Sequence, residues 1–216
     1  MVSEMSDPRN DPMPLRVEMW GDIQCVWCYI ELALLRNAVV ELGGGEIRFR
    51  TYSLTPPVTA RPHTETRDGW LERHHAGIAT VAAEAGLDYD HKSLRPTDSQ
   101  AAHEVVHFAA AHGKAGEMVD RLYTAHFAEG SDIGAPECLA DLAAECGLDR
   151  GEVITALAQR SYSAAVEQDN HLAYLLGATG IPFVVINGKY TLTGAQTPRA
   201  VKHALTLVRN AREASL

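Results

Sequence analysis

No run in this sequence approaches the apolar length that crosses a bilayer, so a membrane-spanning helix is not expected. An excess of basic charge is lacking too. The formal net charge is -9, which argues against a nucleic-acid or anionic-membrane surface. Cysteine is scarce: four in 216 residues are too few for a disulfide scaffold. In a reducing compartment a close cysteine pair means catalysis or metal more often than structure. Residues 1–15 carry mixed charge, three prolines and no apolar core of the kind a secretory signal needs, which predicts a cytoplasmic protein. No internal repeat stands out. Gly43-Gly44-Gly45 closes a predicted helix instead of opening one, so it forms no phosphate cradle. What remains, 46% hydrophobic and 22% charged, is ordinary globular composition with length for one large domain or a domain carrying an insertion.

The chain is organised around Leu15 to Tyr29, LRVEMWGDIQCVWCY. Leu15, Val17, Met19 and Trp20 read as a buried strand, Gly21 and Asp22 as a turn, and Cys25 and Cys28 stand where a helix begins. A C-x-x-C after a strand and at a helix N-terminus is the arrangement that thiol–disulfide chemistry requires. Unpaired N–H groups and the partial positive charge of the helix end favour a thiolate over a thiol. One helical turn brings the second sulfur within reach of a disulfide made by the first. The plain reading of the pair, two small buried hydrophobes, stands beside this one.

Apolar spacing then predicts a helix over Val26 to Leu42 and a half-buried or edge strand over Glu46 to Leu54. Thr55 to Asp68, with Pro56, Pro57 and Pro62, reads as a loop. From there to Arg160 every segment has helical period: Gly69–Ala85, Asp98–His112, Gly116–Glu129, Ala135–Cys146 and Arg150–Leu157. Asp98 and Ser99 are candidate N-caps, and Pro136 suits a first turn. A stretch this long without a strand does not fit inside a β-α-β unit and is expected to be a helical insertion. The α/β pattern resumes with a helix over Ser161 to Ala178, whose core candidates include Val166, Leu172, Leu175 and Leu176. A strand Ile181–Ile186, an Asn187-Gly188 hairpin turn and a returning strand to Thr193 follow. A last helix starts at Pro198, with Val201, Leu205 and Val208 on one face. The expected organisation is a flexible tail at 1–14, an α/β domain from 15–59 and 160–214, and a helical domain at 60–159.

Two further motifs carry chemistry. Ile181-Pro182 precedes a strand that must pair in a sheet. A cis bond there would expose the Ile181 backbone to a visitor, while a trans proline would be a plain strand entry. His103-Glu104-Val105-Val106-His107 matches the H-E-x-x-H zinc pattern, but position 110 is alanine and His112 falls one residue early for the longer version. A packed helix is the expected reading, and no metal site is assigned. Cys138 and Cys146 lie eight positions apart, about 12 Å along a helix, too far for an unstrained disulfide; both read as buried structural thiols.

Taken together, D-I-Q-C-V-W-C-Y-I (Asp22 to Ile30), G-I-P-F-V-V-I (Gly180 to Ile186) and G-A-Q (Gly194 to Gln196) resemble the thioredoxin fold. Within it they resemble the DsbA-like branch with a helical insertion, and there the FrnE-type subgroup, adjacent to the 2-hydroxychromene-2-carboxylate isomerases. A-H-E-V-V-H-F-A and A-H-F-A-E-G-S-D-I (Ala125 to Ile133) look like that subgroup's insertion. The resemblance implies a dithiol–disulfide oxidoreductase, with disulfide isomerase as a further activity. Cys25 would attack, Cys28 resolve, and cis-Pro182 pack opposite, with Trp27, Ile181 and Pro182 touching substrate. Trp27 reads equally as a shield, and Asp22 and Glu31 are candidate proton carriers. Val26 stands where relatives usually have proline, and the dipeptide between the cysteines tunes thiolate stability, so the direction of redox flow stays open. No bound cofactor is implied; glutathione or a protein thiol is the expected redox partner. The alternative is a glutathione-dependent isomerase or biosynthetic enzyme acting on a small aromatic or polyketide substrate.

Overall fold

Leu15 and Val17 alternate with Arg16 and Glu18, and this period-two pattern folds as β1 (Leu15–Gly21), an inner strand of a four-stranded sheet. The computed structural model describes residues 14–54, 68–95 and 97–213. The sheet order is β2-β1-β3-β4, with β2 at Gly45–Thr51, β3 at Phe183–Ile186 and β4 at Tyr190–Thr193. β2 runs parallel to β1, which requires a crossover, and α1 (Val26–Glu41) supplies it. β3 is antiparallel to β1, pairing Trp20 with Phe183, and β4 returns beside it. Asn187 (φ 52) and Gly188 (φ 68) take the paired left-handed conformations that such a two-residue hairpin turn needs.

Side-chain alternation divides the sheet into two faces. Val17, Met19, Val184 and Ile186 join one large core with α1 and with Val201, Leu205 and Val208 of α8 (Pro198–Glu213). Trp20, Phe183 and Val185 turn to the other face and pack with Ala173 of α7 (Ser163–Leu175). Between β2 and α7 the chain forms α2 (Asp68–Glu84), α3 (Gln100–Ala111), α4 (Ala115–Phe127), α5 (Pro136–Glu145) and α6 (Arg150–Ala158). Their apolar faces extend the same large core, through Val105, Leu122 and Leu139 among others. The fold is the thioredoxin fold with a helical insertion. No helix among the described residues is long and apolar enough to cross a membrane.

Several expectations are corrected. α7 ends at Leu175, not Ala178, and Leu175 (65% exposed) and Leu176 (42%) lie outside the core. The buried face of α7 is Val166, Asp169 and Ala173, and a residue two positions past Ala173 points the opposite way around a helix. β2 stops at Thr51, because the N–H groups of Ser53 and Leu54 turn to the side chains of Asn170 and Asp22. Ser99 heads α3 without a side-chain cap bond; the Asp98 carboxylate accepts from Gln100 N instead, at 2.8 Å. Cys138 and Cys146 are free and half-buried, not buried. The expected tail, apart from Pro14, and the domain boundary at 59–60 lie outside the described residues, as does the expected loop Thr55 to Asp68 except for Asp68, which opens α2.

Candidate active site

The turn after β1 delivers both cysteines to the start of α1. Cys25 is the N-cap residue, half-buried, and its N–H donates to Asp22 O at 3.0 Å. Cys28 lies one turn on, fully buried, and both thiols are free. Position 21 beside them is tight: a Cβ there would stand 3.3 Å from Cys28 Sγ and 3.0 Å from the Phe49 ring, so those neighbours would have to give way. The two sulfurs are unequal. Cys28 lends its S–H to Cys25, which lowers the Cys25 pKa against the opposing effects of burial and the Asp22 charge; the N–H groups of Cys28 and Trp27 add to the lowering. Burial, then the hydrogen bond and charge of Cys25, push the Cys28 thiol well up.

The Ile181-Pro182 bond is cis. Because Trp20 pairs with Phe183, the antiparallel register carries Pro182 to the level of Gly21, the residue directly under Cys28. The Pro182 carbonyl accepts from Gly194 N at 2.8 Å, which ties it to the turn after β4. Pro182 is buried, Ile181 half-buried, and Trp27 is 36% exposed beside the cysteines.

Beneath the cysteines lies a polar cluster contributed from distant parts of the chain. The buried Asp22 carboxylate accepts from Leu54 N (2.8 Å), Gln24 N (3.1 Å) and Gln24 Nε2 (3.2 Å), and faces His103 Nε2 at 3.4 Å. Burial alone would raise its pKa. The His103 hydrogen bond and charge, with the Leu54 and Ser99 bonds, bring it to about 2 instead. Tyr123 donates to the Asp22 carbonyl at 3.2 Å and stacks on Tyr29, centroids 5.2 Å apart. Its hydroxyl pKa rises well above the ordinary value through burial and through the negative charges of Cys28, Cys25 and Asp22. His126, also buried, is pushed down to about 4 by burial.

The H-E-x-x-H helix spends its side chains on this framework. His103 faces Asp22, while His107 reaches Thr51 Oγ1 (3.0 Å) and Asp169 Oδ2 (3.3 Å). Glu104 Oε1 pairs with Arg160 at 2.7 Å. Among the described residues no group of three or more His, Cys, Asp or Glu is arranged to hold a metal. Asp169 and Tyr123 went unread in the sequence. For Asp169 one signal was available: it shares a face with Val166 and Ala173, so a carboxylate had to be buried there.

Glu31 is the other buried carboxyl near this end of α1. One oxygen accepts from Gln196 N at 2.8 Å, the other has no partner, and burial pushes its pKa from 4.5 up to about 7. A carboxyl raised in the folded state binds more protons there than when unfolded. It therefore lowers stability as pH climbs from 4.5 to about 7, with the full penalty above that window. Glu31→Gln is expected to gain about 3 kcal/mol at pH 8 and almost nothing at pH 4.5, read from urea midpoints at the two pH values. An equal effect at both would refute the burial of a charge.

A dithiol at a helix N-terminus, level with a cis-proline at the end of a neighbouring strand, defines a thioredoxin-fold thiol protein. The chain belongs to the DSBA-like thioredoxin domain family, whose model matches residues 16–206. This is a family of DsbA-like thiol oxidoreductases. The crystal structure of SCO1869 from Streptomyces coelicolor, a probable DsbA oxidoreductase, is similar at 32% identity and TM-score 0.76, covering 89% of each chain. The cytosolic disulfide reductase DsbM of Pseudomonas aeruginosa aligns at 23% identity and TM-score 0.65, over 93% of this chain and 98% of its own. A 2-hydroxychromene-2-carboxylate isomerase shares the fold at 16% identity and TM-score 0.71, over 93% of this chain and 98% of its own.

Proposed function

We propose that the protein is a dithiol–disulfide oxidoreductase of the FrnE type in which Cys25 attacks and Cys28 resolves, with disulfide isomerase as a further activity. The observation that carries this reading is the inequality of the two sulfurs: Cys25 is half-exposed with a lowered pKa, Cys28 is enclosed with a raised one. An attacking thiol must be ionised and reachable; a resolving thiol must stay protonated until the first has reacted.

The exchange balances as follows. The Cys25 thiolate attacks one sulfur of a substrate disulfide, the S–S bond breaks, and the departing substrate thiolate takes a proton from solvent. Cys28 gives up its proton and attacks Cys25, releasing the second substrate thiol. The substrate gains two electrons and the Cys25–Cys28 pair loses two. Run backwards, the same steps donate a disulfide. Ile181, Pro182 and Trp27 supply the substrate contacts in this reading. Glutathione or a protein thiol closes the cycle, in the cytoplasm. The thioredoxin-like part is assigned to 15–59 and 160–214, and the helical domain to 60–159.

The test is a titration of the Cys25–Cys28 couple against reduced and oxidised glutathione, read by mass-mapped alkylation. A single two-electron transition that vanishes in Cys25→Ser supports the reading, and a flat titration refutes it. Turnover of a glutathione mixed disulfide with no reaction on protein disulfides transfers the assignment to a glutathione-dependent enzyme.

A further inference from the structure

We propose that His103, carried by the helical insertion, is a positioning residue for the dithiol: by holding the buried Asp22 carboxylate it fixes the turn from which Cys25 emerges and lowers the cost of negative charge on Cys25. This rests on the reading of Cys25 as the attacking thiol.

Two requirements conflict at this turn. A thiolate is wanted at Cys25, yet the Asp22 carboxylate, fully buried three residues earlier, opposes that ionisation by its charge. Asp22 has a structural purpose, since its oxygens gather the N–H groups of Gln24 and Leu54 and its carbonyl accepts from Cys25 N and Tyr123 Oη. Its charge therefore needs an offset. Around the carboxylate stand neutral Gln24 and Ser99, the Cys25 and Cys28 sulfurs, Tyr123 and His126 from α4, and His103 from α3. Burial disfavours a charge on His126. Among these groups, His103 places a ring nitrogen within ion-pair distance, at 3.4 Å from Oδ1.

His103 is itself fully buried and wedged between two segments. Nε2 stands 3.4 Å from both Ile23 N and Asp22 Oδ1, and Nδ1 faces Ser53 Oγ at 3.3 Å. With a lone pair on Nε2 the ring accepts from Ile23; with a hydrogen there it donates to Asp22. Either state clamps the turn, and the second also draws charge from the carboxylate. The insertion thus reaches through α3 to the reacting sulfur without touching it.

The test measures Cys25 ionisation in the full chain by thiolate absorbance and mass-mapped alkylation across pH. His103→Gln, which keeps a donor but cannot carry charge, is expected to raise the Cys25 midpoint by about one pH unit, slowing alkylation about tenfold below it. Asp22→Asn is expected to lower the midpoint, and the double variant to fall between the two. A purely structural role moves both single variants the same way, because loosening the turn admits water in either case. A folded His103→Gln protein with an unmoved or lowered midpoint overturns the proposal. Should Asp22→Asn not fold, His103→Gln and His103→Asn decide it by the same sign. Opposite shifts without glutathione exchange would leave this inference standing and remove the oxidoreductase reading; exchange without shifts would do the reverse.

Discussion

Replacing Asp169 with alanine is expected to cost about 3–5 kcal/mol of stability. Asp169 sits on the buried face of α7, and its carboxylate accepts from Arg50 Nη1 (3.0 Å), Thr51 N (3.1 Å) and Thr51 Oγ1 (3.3 Å), with His107 Nε2 at 3.3 Å. Its carbonyl accepts from Trp20 Nε1 at 3.0 Å, and the Arg50 guanidinium lies over the Trp20 ring, 5.6 Å from its centroid. One side chain thus joins α7, the end of β2 and α3. Alanine would strand the Thr51 N–H, already buried, and leave Arg50 with Glu18 alone. Asparagine keeps an acceptor and loses the charge, so a cost of about 1–2 kcal/mol is expected for it. Burial by itself would raise the Asp169 pKa, but the His107 bond and charge and then Arg50 bring it below 3.8. Its contribution is therefore complete above 3.8 and is lost on acidification below it. Urea unfolding at neutral pH with unchanged m-values measures both variants. Wild-type stability for Asp169→Ala would mean that Glu18 holds Arg50 unaided.

This network also shows where reading the sequence stops. The strand–turn–helix at Leu15 to Tyr29, the helical run of the insertion and the hairpin at Asn187-Gly188 are local in origin. Period, turn chemistry and capping lie within a few residues of each other, and the structure carries all three. The cysteine spacing was legible for the same reason, because one helical turn fixes it. Partner identity was not. Asp22 meets His103 across 81 positions and Asp169 meets Arg50 across 119, and no spacing rule connects residues so far apart. The H-E-x-x-H pattern placed two histidines on one helix face but said nothing of what faced them. The structure answers with two separate carboxylates, one under the cysteines and one on α7. Leu175 and Leu176 failed differently: an apolar residue at the end of an amphipathic helix reads as core unless the position of the last buried neighbour, Ala173, is known.

The second large effect is on chemistry, and it separates the two sulfurs. Cys28→Ser is expected to retain the first exchange step and lose the second, so that a mixed disulfide on Cys25 accumulates with glutathione disulfide and is seen by mass. Cys25→Ser is expected to lose exchange by about a thousandfold or more, about 4 kcal/mol of barrier, because a hydroxyl at this helix end does not ionise near neutral pH and Cys28 cannot substitute for it. The reason lies in burial: Cys28 is fully buried against Gly21, and its pKa is driven up, so it is neither ionised nor reachable by an incoming disulfide. Cys25, at the N-cap with the Trp27 and Cys28 N–H groups turned to it, is half-buried and has its pKa lowered. Trapping on Cys28 in the Cys25→Ser protein would reverse the assignment, since it would show the enclosed sulfur to be open to an incoming disulfide.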